Sequence, residues 1–104
     1  MDMVMQGMEA KAAEAARVLR LLANENRLLL LCHLAGEGEA SVNRLAALVG
    51  LSQPALSQHL ARLRQDGLVA ARRDAQQVFY RLADPRVAAL LAAMRAIFCP
   101  EDET

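Results

Sequence analysis

The chain has 104 residues, the length of one domain and not of two. Its 12 basic and 12 acidic residues cancel, which excludes a uniformly basic or acidic surface. The charges are unevenly placed, however. Arg44, Arg62, Arg64, Arg72, Arg73, Arg81 and Arg86 crowd the middle against Asp66, Asp74 and Asp84 alone, while acids outnumber bases in the flanks.

Alanine and leucine dominate a composition with three aromatics, Phe79, Tyr80 and Phe98, which favours helices. Residues 8–23 lack internal proline and glycine and read as a first helix with Val18, Leu19 and Leu22 on its apolar stripe. Asn24 is an N-cap for a second helix, 25–35. That helix is apolar on most sides, hence expected to be buried on most sides, and Gly36 and Gly38 end it. Ser41 caps a short third helix, 42–49, stopped by Gly50. Ser52 caps a fourth, 53–66, with Pro54 in the first turn and Gly67 as the stop.

Helices three and four, separated by a turn at Gly50, have the spacing of a helix-turn-helix. Two strands follow, 68–73 and 77–82, joined by Asp74, Ala75 and Gln76 as a hairpin. Asp84 and Pro85 open a last helix to about Phe98, striped by Val87, Leu90, Leu91, Met94 and Phe98. Pro100 ends it, and 101–104 is a short acidic tail. Nothing divides the chain, so 1–104 reads as a single domain. The fold class is mainly α with a β-hairpin, a winged helix-turn-helix.

Residues 1–11 lack a basic segment followed by an apolar run, and the longest near-apolar stretch, 28–35, is too short to span a bilayer. A cytoplasmic protein with no membrane partner is expected. In a reducing cytosol the two cysteines are not expected to form a permanent disulfide.

The fourth helix carries the most information. Leu56, Leu60 and Leu63 share one face; Pro54, Gln58, Ala61, Arg62 and Gln65 lie opposite, with Gln53, Ser57 and Arg64 on a flank. Glutamine pairs bidentately with adenine, arginine takes guanine or phosphate, and serine reaches either, so this face suits a major groove as well as it suits ordinary solvent. The helix N-terminus at Ser52 adds backbone donors for a phosphate. His59 lies at the edge of the leucine stripe, where packing or hydrogen bonding is favoured over base contact.

Four segments together resemble the ArsR/SmtB family of bacterial repressors: Leu19 through Leu34, Ser57-Gln58-His59-Leu60, Asp66-Gly67-Leu68-Val69, and Val78-Phe79-Tyr80-Arg81-Leu82. The resemblance implies a winged-helix homodimer joined through the first and last helices and bound to palindromic operator DNA. Its DNA contacts would come from Ser52, Gln53, Ser57, Gln58 and Arg62 on the fourth helix and from Arg72, Arg73 and Gln76 in the wing, with Arg81 also near the backbone.

Relatives sense different signals. The third helix here offers no metal ligand, the last has no Asp, Glu or His, and the scattered Cys and His residues make no zinc spacing, so no metal or cofactor is expected. Cys32, in the second helix, and Cys99, at the end of the last, resemble the pair in the branch of the family that responds to sulfide and persulfide. That likeness implies that reactive sulfur species bridge the two cysteines and release the protein from DNA. Three alternatives stay open. In one, the same pair serves a thiophilic metal or metalloid or a general oxidant. In another, the winged helix binds a protein in place of DNA. In the third, Cys32 is a small apolar side chain and Cys99 a terminal bystander. No Cys-x-x-Cys, nucleophile–base arrangement or phosphate loop is present, so the chain is not read as an enzyme.

Overall fold

The computed structural model describes residues 5–100. Five helices and three strands follow in the order α1 (Met8–Leu22), α2 (Glu25–Glu37), β1 (Ala40–Ser41), α3 (Val42–Val49), α4 (Gln53–Gln65), β2 (Val69–Asp74), β3 (Gln77–Leu82) and α5 (Pro85–Phe98). The acidic tail proposed for 101–104 lies outside the described residues.

Four of the five helix starts, those of α2 to α5, follow from a side-chain cap. Asn24 Oδ1 accepts from the Arg27 N–H at 3.0 Å, Ser41 Oγ from Arg44 at 3.1 Å, Ser52 Oγ from Ala55 at 3.3 Å, and Asp84 Oδ1 from Arg86 at 2.9 Å. The stops are equally local. Gly50, at φ 78°, turns the chain between α3 and α4, and its N–H reaches the Ala46 carbonyl at 2.8 Å. Gly67, at φ 80°, closes α4 with the Leu68 N–H on the Leu63 carbonyl at 2.9 Å, the bond pattern of a helix ended by a left-handed residue.

One apolar core joins all five helices. The largest fully buried side chains are Leu30, Leu31, Leu34, Leu45, Leu56, Leu60, Leu63, Leu68 and Val87, and among the described residues no polar residue is buried with them. Leu56, Leu60 and Leu63 thus fix which side of α4 faces out.

Four expectations need correction. Leu19 is exposed, and Leu21 takes its place beside Val18 and Leu22, because i, i+3 and i+4 align on the buried side of α1. The second helix runs through Gly36 to Glu37 and ends at Gly38, where φ is 80°. It is also open on one side, where Leu29 and Cys32 are exposed. Finally, the sheet has three strands in the order β1-β3-β2: Ala40 and Ser41 pair with Tyr80 and Phe79 on the free edge of β3. The hairpin itself pairs Asp74 with Gln77, leaving Ala75 and Gln76 as its two-residue tip.

The molecule is thin, 51 × 35 × 20 Å. All residues from Met8 to Ala13 are exposed, as are Leu19, Leu29, Ile97 and Phe98. Apolar residues of the first and last helices therefore lack cover within one chain. No helix among the described residues is long and apolar enough to cross a membrane.

Candidate functional site

Two sites can be built, one at the outer side of α4 and one at the seam between α2 and α5. At the first, α3 and α4 meet at their N-terminal ends beside the wing. Ser41, Val42, Asn43, Gln53, Ser57, Gln76, Gln77 and Val78 line a cleft of about 340 Å³. It thus brings together three of the expected DNA contacts, Gln53, Ser57 and Gln76, and adds Asn43, which the sequence did not single out. The Gln53 side-chain amide donates to Asn43 Oδ1, so α3 steadies a residue of α4. Amides and hydroxyls are the polar side-chain groups that line this cleft, a composition chemically able to hydrogen-bond base edges.

The remaining expected contacts are dispersed. Ser52 caps α4, and Gln58 is exposed on the outer face. Arg62 is paired with Asp66 at 3.1 Å, and Asp66 is also reached by Arg17 at 3.4 Å. Arg72 makes two bonds to Glu39, both 2.8 Å, and lies over the Phe79 ring. That pairing holds the Glu39 carboxyl below its ordinary range. Arg73 is exposed and has no acidic partner among the described residues. It stands directly across the ladder from Val78, so it shares the face that looks onto the cleft, whereas Arg72 points to the other. His59 is half-buried, as its helical phase requires.

The second site is apolar. Cys32, on the open side of α2, and Cys99, the residue that caps α5, line one groove of about 340 Å³ with Leu28, Leu91, Met94, Arg95 and Phe98. Both thiols are unbridged and exposed. Cys99 is held by its own N–H, which reaches the Arg95 carbonyl at 2.8 Å. Burial against the groove walls, and then the nearby Cys99, push the Cys32 thiol up from its ordinary range. Among the described residues, no three His, Cys, Asp or Glu side chains cluster as metal ligands.

Residues 24–71, which include α3, the turn and α4, match the family described as "Bacterial regulatory protein, arsR family". The chain is 46% identical over 102 residues to the biofilm growth-associated repressor of Agrobacterium fabrum, covering 98% of this chain and 86% of that one. The crystal structure of the transcriptional repressor BigR from Xylella fastidiosa superposes with a TM-score of 0.86 at 44% identity, over 91% of this chain and 96% of that one. The solution structure of the homodimeric winged helix-turn-helix DNA-binding domain of Mb0332 from Mycobacterium bovis matches with a TM-score of 0.75 at 37% identity, over 86% of this chain and 82% of that one. With its capped helix-turn-helix, its hairpin wing and these relatives, the chain belongs to the ArsR family of DNA-binding transcriptional regulators and is not an enzyme.

Proposed function

We propose that this protein is a cytoplasmic repressor that holds operator DNA as a homodimer and releases it when a persulfide or polysulfide bridges Cys32 to Cys99. The observation that carries the reading is the shared groove: two free thiols, distant in sequence, open onto one apolar space between α2 and α5.

The chemistry balances without an outside oxidant. A thiolate attacks the sulfane sulfur of an organic persulfide RSSH; the cysteine becomes a perthiol, and RSH leaves. The second cysteine then attacks the inner sulfur of that perthiol and expels hydrosulfide. Two thiols and one RSSH give a disulfide, one RSH and one hydrogen sulfide. Two thiols and two RSSH give a trisulfide, two RSH and one hydrogen sulfide.

A plain disulfide needs Cα atoms within about 7 Å, whereas an added sulfur spans more. The bridge ties the end of α5 to α2, and α2 packs on α3, which packs on α4. The uncovered apolar residues of α1 and α5 support dimerisation through those helices. A hundredfold loss of operator affinity needs a bias of only roughly 2.7 kcal/mol between two dimer geometries, within ordinary coupling energies.

The outer face of α4 would enter the major groove. Gln53, Ser57 and Gln58 would read bases there; Ser52, Arg62, Arg73 and Gln76 would hold the backbone, and Arg72 would join them only after leaving Glu39.

The test is an electrophoretic shift on the protein's own upstream region, with intact-mass measurement, before and after glutathione persulfide. Wild type should leave the DNA and lose both thiols within one chain. Cys32→Ser and Cys99→Ser should each bind and stay bound. Release of either single variant by the persulfide, or release of wild type by arsenite or cadmium but not by persulfide, overturns the reading.

A further inference from the structure

Asp66 ends α4, and two arginines from different helices share its carboxylate. Arg62 Nε, one turn earlier on α4, donates to Oδ2 at 3.1 Å, and the Arg17 guanidinium, from α1, donates to Oδ1 at 3.4 Å. The same Arg17 nitrogen also donates to the Asp66 main-chain carbonyl at 3.5 Å, where a cation suits the negative end of a helix. Two other carboxylates feel the charge of Arg17, those of Glu14 and Asp84. Arg86 is what chiefly holds both below their ordinary range, and it pairs with them at 2.7 and 2.8 Å. Among the described residues, the hydrogen bonds of Arg17 both go to Asp66. So α1, which carries none of the expected DNA contacts, is tied to the end of the helix that carries most of them.

We propose that Arg17 is a positioning residue for DNA binding: by sharing the Asp66 carboxylate it loosens that carboxylate's hold on Arg62 and leaves Arg62 available to a backbone phosphate. The inference rests on Arg62 as a phosphate contact and adds the residue that sets how readily the contact forms.

A phosphate competes with Asp66 for Arg62, and two effects make the outcome depend on Arg17. In the free protein, the Arg17 charge offsets part of the carboxylate's field at Arg62, so Arg62 is held less firmly. On DNA, Arg62 turns to the phosphate. The Asp66 side chain is only 26% exposed, and with Arg17 still in place it is not left as a half-buried charge without a partner. Both effects lower the cost of releasing Arg62. The side chain of Arg62 is 60% exposed against 40% for Arg17, so Arg62 is the cation that a duplex reaches and Arg17 the one that stays. The magnitude is that of an exposed ion pair, up to about fivefold in affinity.

The experiment measures binding to random duplex and to the protein's own upstream region by fluorescence anisotropy. Arg17→Gln should weaken both duplexes about threefold, whereas Arg17→Lys, which keeps a cation beside Asp66, should stay within about 1.5-fold of wild type. Asp66→Asn keeps the shape and removes the charge, so it should tighten both. In Asp66→Asn protein, Arg17→Gln should then change affinity by no more than about 1.3-fold, because the carboxylate through which Arg17 acts is gone. A mere loss of long-range attraction would persist in that background. Equal weakening by Arg17→Gln with and without the Asp66 charge overturns the inference, as does tighter binding by Arg17→Gln or an Arg17→Lys protein as weak as Arg17→Gln. Arg62→Ala separates the two readings. If it costs no affinity in wild-type or Asp66→Asn protein, the phosphate contact falls and the inference with it. If it costs affinity while the Arg17 effect ignores Asp66, the contact stands and the inference falls alone.

Discussion

The guanidinium of Arg72 sits 4.8 Å from the centroid of the Phe79 ring, directly across the β2–β3 ladder. Its neighbour Arg73 projects from the opposite face, beside Val78 and the cleft. The two arginines should therefore behave differently on DNA. Arg73→Ala should weaken cognate and random duplex alike and reduce the slope of log affinity against log salt by about 0.9, the signature of one lost phosphate contact. Arg72→Ala should leave that slope within about 0.3 of wild type, because Glu39 already neutralises the charge. Fluorescence anisotropy at several salt concentrations checks both.

With Gln53 as the proposed base reader, its bond to Asn43 implies a division of labour between the two. Gln58→Ala should cost roughly 1–3 kcal/mol on the cognate operator and little on random duplex. Asn43→Ala should relax the preference at the base read by Gln53, since that amide loses its fixed orientation. Selection of bound sequences from a randomised operator would show a single flattened position, and an unchanged base profile would show that Asn43 does not steady the reader.

At the wing tip, Ala75 holds φ 58°, a left-handed conformation in which its Cβ crowds the following carbonyl. Ala75→Gly should relieve that strain and stabilise the fold by about 1 kcal/mol, raising Tm by about 4–8 °C. Thermal unfolding followed by circular dichroism checks this.

Ile97 and Phe98 are 69% and 78% exposed, yet both are large and apolar. Ile97→Asp should separate the dimer without harming the monomer's core, and operator binding should fall because the two half-sites must be engaged together. Leu90 and Met94 are worse choices for this test, since both pack against the core and a charge there damages the fold itself. Sedimentation velocity at micromolar concentration would show a folded monomer for Ile97→Asp and a dimer for wild type.

The Cys32 thiol, pushed up by burial, is scarce as thiolate at neutral pH and gains it only as the pH climbs past the ordinary thiol range. Alkylation of Cys32 by iodoacetamide in Cys99→Ser protein should accordingly keep accelerating above the pH at which an unfolded cysteine peptide has levelled off. A plateau at the same pH as the peptide would show that the groove does not hold this thiol in its protonated form.

The helix-turn-helix was legible because its signals are local. Ser41 and Ser52 cap, Gly50 and Gly67 turn, and three leucines at i, i+4 and i+7 decide the buried side of α4. What stayed hidden depends on partners remote in sequence. Ala40 and Ser41 carry no strand pattern of their own and become a strand only because β3 has a free edge. Leu19 is as apolar as Leu21, and only the position of the core separates them. The bond from Arg72 to Glu39 and the polar cleft with Asn43 likewise require the sheet to be folded before they exist. For the cysteine pair, composition argued each residue apart; packing of α5 on α2 supplies the common groove.

Cys32 shares its helix turn with Leu30, Leu31 and Leu34, which have no solvent exposure, while Cys99 follows Ile97 and Phe98, which have almost no cover within the chain. The two anchor points therefore differ in compliance. Behind Cys32 stand three leucines with no solvent exposure, so under the proposed bridge it would be the fixed point and the end of α5 would be the part that yields. Any tension between them is delivered outward, toward whatever lies against the last turn of α5. Under the proposed bridge, a signal read at the sulfur would act by changing how the two reading heads are spaced.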